Sequence, residues 1–152
     1  MISDNLLEII ANQKGRVIVS AFSSLITRLY SLIEIAKKTN RKVLLAGRSL
    51  DQAIKIAREN RYIKVDDGLL IKDKDVNKYP DNQLLILCTG SQGERFAVLN
   101  RVSLNEHKNI KIKKGDLVIM SSSEIPENIS SIERMTDRLI ALGAELMKDT
   151  VN

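Results

Sequence analysis

The chain has 152 residues, enough for one domain with its own hydrophobic core, since domains most often contain roughly 100–150 residues. It has one histidine, His107, and one cysteine, Cys88, which excludes a zinc finger, a multi-histidine metal centre and a disulfide framework built from this sequence. Apolar runs are short and interrupted by charges, and the first ten residues lack a secretion signal. We therefore expect a soluble, cytoplasmic protein without a membrane span.

Charge is unevenly distributed along the chain. The net charge is +5, and residues 1–50 hold 8 basic and 3 acidic side chains, whereas basic and acidic residues balance in the remainder. A basic surplus in one region is typical of a face that meets phosphates, although a solvated helix face accounts for it equally well. Because aromatic residues make up only 3% of the chain, any nucleic acid contact is expected to involve the backbone rather than stacked bases.

Short apolar runs alternate with longer amphipathic segments along the chain. In order, the predicted elements are a helix (3–12), a strand (17–19), a helix (25–38), a strand (43–46), a helix capped by Ser49 (49–59), a short strand within polar loops (69–71), a strand (84–88), a helix (94–102), two strands (109–112 and 117–120) and a helix (129–142). Strands that are continuous Val, Ile and Leu runs are buried on both faces. The pattern predicts an α/β fold, a three-layer αβα sandwich with a mainly parallel sheet.

Small and hydrogen-bonding residues follow four of the predicted strands, in segments 20–24, 47–49, 90–93 and 121–123. Because carboxyl ends of parallel strands share one edge, these turns should lie together where such sheets bind ligands. Helix N-termini and hydroxyls there suit a phosphate, and Arg28 and Arg48 can add full charges. Taken singly, each turn is better explained as a helix cap than as a ligand site, and neither a Walker loop nor a dinucleotide fingerprint is present.

Several single residues have structural interpretations. His107 lies in a polar connection and is predicted to be an exposed loop residue. Cys88 ends an apolar strand and is predicted to be a small core side chain, with a reactive thiol as the alternative. The basic pairs Lys37-Lys38 and Lys113-Lys114 are predicted to be solvated.

Four segments together resemble the β-CASP domain of ribonuclease J in their order and spacing. They are KGRVIVSAFSSLITRL (14–29), NRKVLLAGRSL (40–50), LLILCTGSQGERFAVLNRV (84–102) and KKGDLVIMSSSEIPENI (113–129). The resemblance implies that residues 1–152 form a single β-CASP domain taken from a larger metallo-β-lactamase/β-CASP ribonuclease. In that family RNA lies in the cleft between the two domains.

The resemblance also implies what the parent protein does. It would be a hydrolase with 5′-to-3′ exonuclease and endonuclease activity in RNA degradation and ribosomal RNA processing. Two divalent metal ions, zinc or manganese, would be held by His-x-His-x-Asp-His and His-x-Ser-Gly-His motifs that these residues lack. We expect this chain to contain no catalytic or metal-binding residue and no nuclease activity of its own. Its implied partners are RNA, the metallo-β-lactamase domain of the same parent, and a ribonuclease J paralogue or a second copy.

The resemblance assigns RNA and phosphate contacts to residues of all four turns. They are Phe22, Ser23, Ser24 and Arg28; Arg48 and Ser49; Gly90, Ser91, Gln92 and Gly93; and Ser121, Ser122 and Ser123, the last group near the pocket for the 5′ phosphate.

Four positions depart from the family pattern. Leu25 and Thr27 stand where the family usually has Asn and His, and Glu124 and Glu127 introduce two acids into its Pro-Ile-Pro-Gly-Asn-Glu motif. Acids beside a phosphate pocket repel an anion, which predicts weak capture of a 5′ phosphate. Such losses fit a paralogue of low activity that serves as a partner of an active subunit. The alternatives are a nucleotide-binding α/β domain and a non-catalytic interaction subunit of a ribonuclease J complex.

Overall fold

The computed structural model describes residues 4–22, 24–90, 93, 95, 97–122 and 125–150. Within this part, six parallel strands form one sheet in the order β3-β2-β4-β1-β5-β6. The strands are β1 (Val17–Ser20), β2 (Lys42–Ala46), β3 (Leu70–Ile71), β4 (Leu84–Cys88), β5 (Leu117–Ser122) and β6 (Glu145–Thr150). The helices are α1 (Asp4–Asn12), α2 (Ile26–Lys38), α3 (Arg48–Glu59), α4 (Val98–Ser103) and α5 (Ile129–Ala141). None of these described helices is long and apolar enough to cross a lipid bilayer.

Helices cover both faces of the sheet. Side chains alternate along a strand, and in β1 Val17 and Val19 join the core formed with α1, α2 and α3, whereas Ile18 joins the core formed with α4 and α5. Strands buried on both faces therefore need apolar residues at successive positions, as β1 and β4 have. The structure confirms the expected three-layer αβα sandwich.

The direction of the crossovers places the helices. The connections from β1 to β2 and from β2 to β3 run one way along the sheet, and those from β4 to β5 and from β5 to β6 run the other way. Right-handed crossovers then put α2 and α3 on one face and α4 and α5 on the other. Loops that leave neighbouring strands thus diverge to opposite faces, which opens a crevice at the carboxyl edge of the sheet.

Buried arginines secure the opposite, amino edge. Arg41 is 2% exposed, and its guanidinium donates hydrogen bonds to five main-chain carbonyls. The accepting residues are Ile10, Gln13, Gly15, Asp81 and Leu84, at distances of 2.6 to 3.3 Å. Because burial withdraws this guanidinium from water, it lowers the pKa of Arg41. One cation therefore joins the end of α1 to the starts of β1, β2 and β4.

A second buried arginine joins the starts of β1 and β5. Arg16 makes a bidentate pair with Asp116, Nε to Oδ1 at 2.9 Å and Nη2 to Oδ2 at 2.7 Å. Asp116 Oδ2 also accepts from the Lys113 amide at 2.9 Å. Both side chains are buried, and the additional hydrogen bonds are what a buried ion pair requires.

The predicted strand at 109–112 is wrong. The amides of Asn109 and Ile110 both donate to His107 Nδ1 at 3.1 Å, and the Lys111 carbonyl accepts from Arg16 Nη2 at 2.6 Å. Side chains therefore satisfy the backbone groups that a neighbouring strand would otherwise pair. Ile110 and Ile112 still pack into the core beside α4 and α5, which explains their apolar pattern.

The helix boundaries differ from the prediction at two places. Gly47, not Ser49, precedes the first residue of α3, and no side chain caps that helix. The helix predicted over 94–102 is a shorter α4, Val98–Ser103; its expected start at Glu94 lies outside the described residues. The short strand expected at 69–71 is present as β3.

The sequence prediction missed β6. This edge strand pairs with β5 from Leu117↔Glu145 to Ser122↔Thr150. Leu146 and Met147 contact opposite cores, yet charged residues surround them and leave no apolar run to mark a strand.

Replacing Arg41 tests its role at the amino edge. Arg41→Met should lower the free energy of unfolding by about 3 kcal/mol, because it leaves several buried carbonyls without their donor. Urea unfolding measures the loss, and Lys42→Met, at the neighbouring half-buried residue, should cost less than half as much. A loss for Arg41→Met below about 1 kcal/mol would show that solvent or a rearrangement satisfies these carbonyls.

Candidate functional site

The four turns predicted to lie together do share the carboxyl edge of the sheet. In the strand register the last residue of β1, Ser20, lies beside both Cys88 of β4 and Met120 of β5, and Ala46 of β2 lies beside Cys88. The Ala21 amide then donates to the Cys88 carbonyl at 2.8 Å. The segments that leave β1, β2, β4 and β5 therefore start side by side.

Close backbone packing joins the turns after β2 and β4. Gly47 has φ +117°, and a Cβ there would lie 3.1 Å from Cγ2 of Val98. A Cβ at Gly90 would lie 3.0 Å from the Cβ of Ala97 and 3.2 Å from that of Leu99. Both glycines thus pack against the start of α4, and Gly47 occupies a conformation that favours glycine. The Gly-Arg-Ser and Thr-Gly-Ser-Gln-Gly segments meet there.

Gly93 brings the same loop onto α5. It has φ +73°, and a Cβ at this position would lie 2.9 Å from the carbonyl carbon and oxygen of Ser131. A real Cβ does not approach a main chain this closely, so only glycine fits without movement of α5. Gly90 and Gly93, the described glycines of the β4–α4 loop, therefore pack against the starts of α4 and α5 respectively.

Arg48 and Ser49 lie at the start of α3, and both are exposed. Because no side chain caps α3, its first amides and the positive end of its dipole remain directed at the edge. A cleft of about 490 Å³ opens beside them. Two cationic and two anionic side chains line it, together with Leu45, Gly47, Leu70 and Ile71; the charged residues are Arg48, Lys72, Asp51 and Asp73.

Arg28, one of the predicted phosphate contacts, lies near the start of α2 and is buried. It is 8% exposed, and its Nη2 donates to Asp149 Oδ2 of β6 at 2.5 Å. The ion pair joins α2 to the edge strand that the sequence did not reveal. The guanidinium is thus engaged with Asp149, and its contact with a phosphate stays a prediction.

The basic surplus of residues 1–50 is accordingly not a single cationic face. Arg16, Arg28 and Arg41 are all buried. Lys37 is exposed and bonded to Asp66 at 2.8 Å, which raises the pKa of Lys37 and lowers that of Asp66. The solvated positions predicted for Lys37-Lys38 and Lys113-Lys114 are confirmed, since all four residues are exposed.

The remaining predicted contacts fall into three groups. Phe22 is half-buried and Ser24 is exposed after β1. Ser121 and Ser122 form the end of β5, where the structure describes their backbone but not their side chains. Ser23, Ser91, Gln92 and Ser123 lie outside the described residues.

His107 is buried, not exposed as predicted. Its ring is 7% exposed and Nδ1 accepts the two amides of Asn109 and Ile110, so Nδ1 carries no proton. Burial lowers the pKa of His107, and nearby Arg101 acts in the same direction. The imidazole therefore organises the loop before β5.

Cys88 is the core side chain that its sequence context predicts. It is buried at the end of β4, and burial raises the pKa of the thiol to about 12. The alternative of a reactive thiol is not supported, because the reactive form is the thiolate.

Sequence reasoning missed Asp51, Lys72 and Asp73 in the cleft. Lys72 and Asp73 belong to a polar stretch without periodicity, and only the two-residue strand β3 places them beside α3. Within the described ranges, no three His, Cys, Asp or Glu side chains come together in a group that could hold a metal ion.

The strands wound in both directions and the glycine turns at one edge define a doubly wound α/β domain, a class that binds ligands beyond the carboxyl ends of its strands. A profile described as "Ribonuclease J, beta-CASP domain" matches residues 14–139. The chain belongs to the ribonuclease J β-CASP domain family, which confirms the resemblance of its four segments.

Proteins named ribonuclease J are similar in sequence to this chain along most of its length. A ribonuclease J from Mycoplasma pneumoniae is 38% identical over 152 residues, which are 100% of this chain and 27% of that protein. Ribonuclease J from Thermus thermophilus is 44% identical over 96% of this chain and 25% of its own length. Ribonuclease J from Helicobacter pylori strain 26695 is 44% identical over 88% of this chain and 19% of its own length. The chain thus spans about a quarter or less of these relatives.

Gly93→Ala should destabilise the protein by about 2 kcal/mol, because the left-handed backbone and the contact with Ser131 both oppose a Cβ. Gly68→Ala is the matched control, since Gly68 has φ +81° and nothing within 4 Å of its would-be Cβ. Urea unfolding compares the two variants. Equal losses would show that α5 moves without cost and that the contact does not fix the loop.

Because His107 is buried, we expect the free energy of unfolding to depend on pH. Its pKa is lower in the folded protein than its ordinary 6.5, so unfolding takes up a proton once the pH falls below that value. The contribution of neutral His107 to the free energy of unfolding is complete above pH 6.5. It declines as the pH falls from there toward the pKa of His107 in the folded protein. Between about pH 7.5 and about pH 5 the protein should lose more unfolding free energy than His107→Gln, which cannot titrate. Equal losses in parallel urea titrations would contradict this assignment.

Proposed function

We propose that this chain is the RNA-holding domain of a ribonuclease J-type enzyme and positions the RNA backbone over a metal site in another domain of the parent protein. The observation that carries the proposal is the meeting of the Gly-Arg-Ser and Thr-Gly-Ser-Gln-Gly segments at the start of α4, through Gly47 and Gly90. These are two of the segments on which the family resemblance rests.

The chemistry of this edge favours the phosphate backbone over the bases. Glycine turns hold the edge segments against the starts of α4 and α5, and the uncapped start of α3 offers amides and a positive dipole. Arg48 supplies an exposed full charge next to those amides. The chain has no Trp and only two Phe, so a stacking platform is not available.

The parent protein would hydrolyse the phosphodiester, as an exonuclease and endonuclease in RNA degradation and ribosomal RNA processing in the cytoplasm. Bound zinc or manganese would supply an activated water and stabilise charge on the phosphate oxygens. Among the described residues, no three His, Cys, Asp or Glu side chains lie together in a group that could hold such an ion, which supports a contribution of binding and orientation. We accordingly propose that the chain alone does not cut RNA.

Exposed apolar residues at the same edge support a partner domain there. Leu25, at the entrance to α2, is 48% exposed, and Ile129, at the start of α5, is 41% exposed. The metallo-β-lactamase domain of the parent is the proposed partner, and a ribonuclease J paralogue or a second copy completes the assembly.

The engagement of Arg28 and the exposed Glu127 support the weak capture of a 5′ phosphate that the departures from the family pattern predict.

One observation favours a different function, a pocket for a single nucleotide. The cleft of about 490 Å³ beside Arg48 has the volume of a small-molecule site. Its two cationic and two anionic side chains balance, which favours a polymer bound along the edge over a polyphosphate held in the cleft.

A binding series distinguishes these functions. Fluorescence anisotropy with single-stranded RNA of increasing length should show affinity that grows with length and falls steeply with salt. A mononucleotide pocket would show neither trend.

Arg48→Glu should weaken RNA binding by about tenfold, because an exposed contact charge is reversed.

Lys114→Glu is the matched control for that variant. Lys114 is also exposed, but it precedes β5 and so lies at the opposite edge of the sheet. It should change the affinity by less than about twofold. Equal losses for the two reversals would mean that only overall charge matters and would contradict a site at the carboxyl edge.

A further inference from the structure

A buried polar cluster joins α4 to α5 and reaches the loop between β4 and α4. Asn100 is 6% exposed and Ser103 is 4% exposed. Arg138 of α5 donates from Nη2 to Asn100 Oδ1 at 2.7 Å and from Nε to Ser103 Oγ at 3.1 Å. Ser103 Oγ in turn donates to the Asn100 carbonyl at 2.6 Å. The forked guanidinium thus holds two neighbouring side chains of α4.

The other end of the Asn100 amide holds the loop. Its Nδ2 donates to the carbonyl oxygen of Arg95 at 3.1 Å. Arg138 fixes this orientation, because a guanidinium has only donors and must face the amide oxygen. A flipped amide would place Nδ2 against Arg138 and its oxygen against the Arg95 carbonyl, so both contacts would become repulsive.

Other contacts of the described residues also hold the loop. The Gly93 amide donates to the Gly90 carbonyl at 3.1 Å, and the Leu99 amide donates to the Thr89 carbonyl at 3.0 Å. Gly93 also rests on the backbone of Ser131. These contacts hold the start of the loop, and the contact from Asn100 to Arg95 holds the part that approaches α4.

We propose that Arg138 and Asn100 are positioning residues for RNA binding: Arg138 orients the Asn100 amide, and the amide holds the β4–α4 loop in its binding conformation. The inference rests on the proposed function for its RNA readout. It adds residues that lie beneath the edge, on α4 and α5, and that no predicted contact includes.

Asn100→Asp separates positioning from packing. The aspartate keeps an acceptor for Arg138 but loses the donor to Arg95, and it turns a carboxylate oxygen toward that carbonyl. The urea midpoint of the chain should fall only slightly, because the charge pair with Arg138 offsets part of the lost bond, while RNA affinity measured by anisotropy falls about tenfold. Lys114→Gln carries the same change of one charge at the opposite edge and should stay within about twofold.

Arg138 provides a second, independent pair of variants. Arg138→Met removes the guanidinium that donates to Asn100 Oδ1 and should weaken RNA binding, whereas Arg138→Lys keeps a cationic donor and should restore at least part of the affinity. This pair tests the inference even if Asn100→Asp fails to fold.

Amide hydrogen exchange makes the test independent of RNA. Asn100→Asp and Arg138→Met should raise exchange of the described amides at 93, 95 and 97, and Lys114→Gln should not. Unchanged exchange, or unchanged RNA affinity in a chain that binds RNA, would overturn the positioning role and leave the proposed function standing. If the unmodified chain binds no RNA, the proposed function fails, and exchange alone decides whether Asn100 holds the loop.

Discussion

The buried guanidinium of Arg41 donates its five described hydrogen bonds to main-chain carbonyls and not to a carboxylate. These carbonyls belong to α1, to the segments before β1 and β4, and to the first residue of β4. Carbonyls at the end of a helix carry partial negative charge, so α1 supplies part of the compensation that a carboxylate would otherwise give. Together with Arg16 and Asp116, this cation closes the amino edge of the sheet. Loops at the carboxyl edge are then free to serve binding, because the order of the strands does not depend on them.

The parallel sheet could be predicted where burial on both faces demands an uninterrupted apolar run, as in β1 and β4. Prediction failed where apolar residues occur in a loop and where charged residues occur in a strand. Ile110 fills the core from a loop whose amides His107 satisfies, and this looks like a strand in sequence. The sequence of β6 does not look like that of a strand, because an edge strand tolerates charged residues. Leu146 and Met147 supply its apolar contacts with the two cores.

The site could be predicted as far as topology decides it. Parallel strands bring their carboxyl ends together whatever their loops contain, so the shared edge followed from the order of elements. Which charges face that edge did not follow, because a count of arginines cannot separate Arg48 at the surface from Arg28 paired with Asp149. The partner of Arg28 lies on β6, the strand without a sequence signal, so this pairing had no basis in the pattern.

The buried thiol of Cys88 has a practical consequence. Burial raises the pKa of this thiol to about 12, so the reactive thiolate is scarce at neutral pH, and the side chain is closed to solvent. While it is folded, the natural chain is therefore unreactive toward maleimide reagents. A cysteine introduced at an exposed position such as Tyr62 would take a fluorophore or spin label alone, without removal of Cys88 from the core.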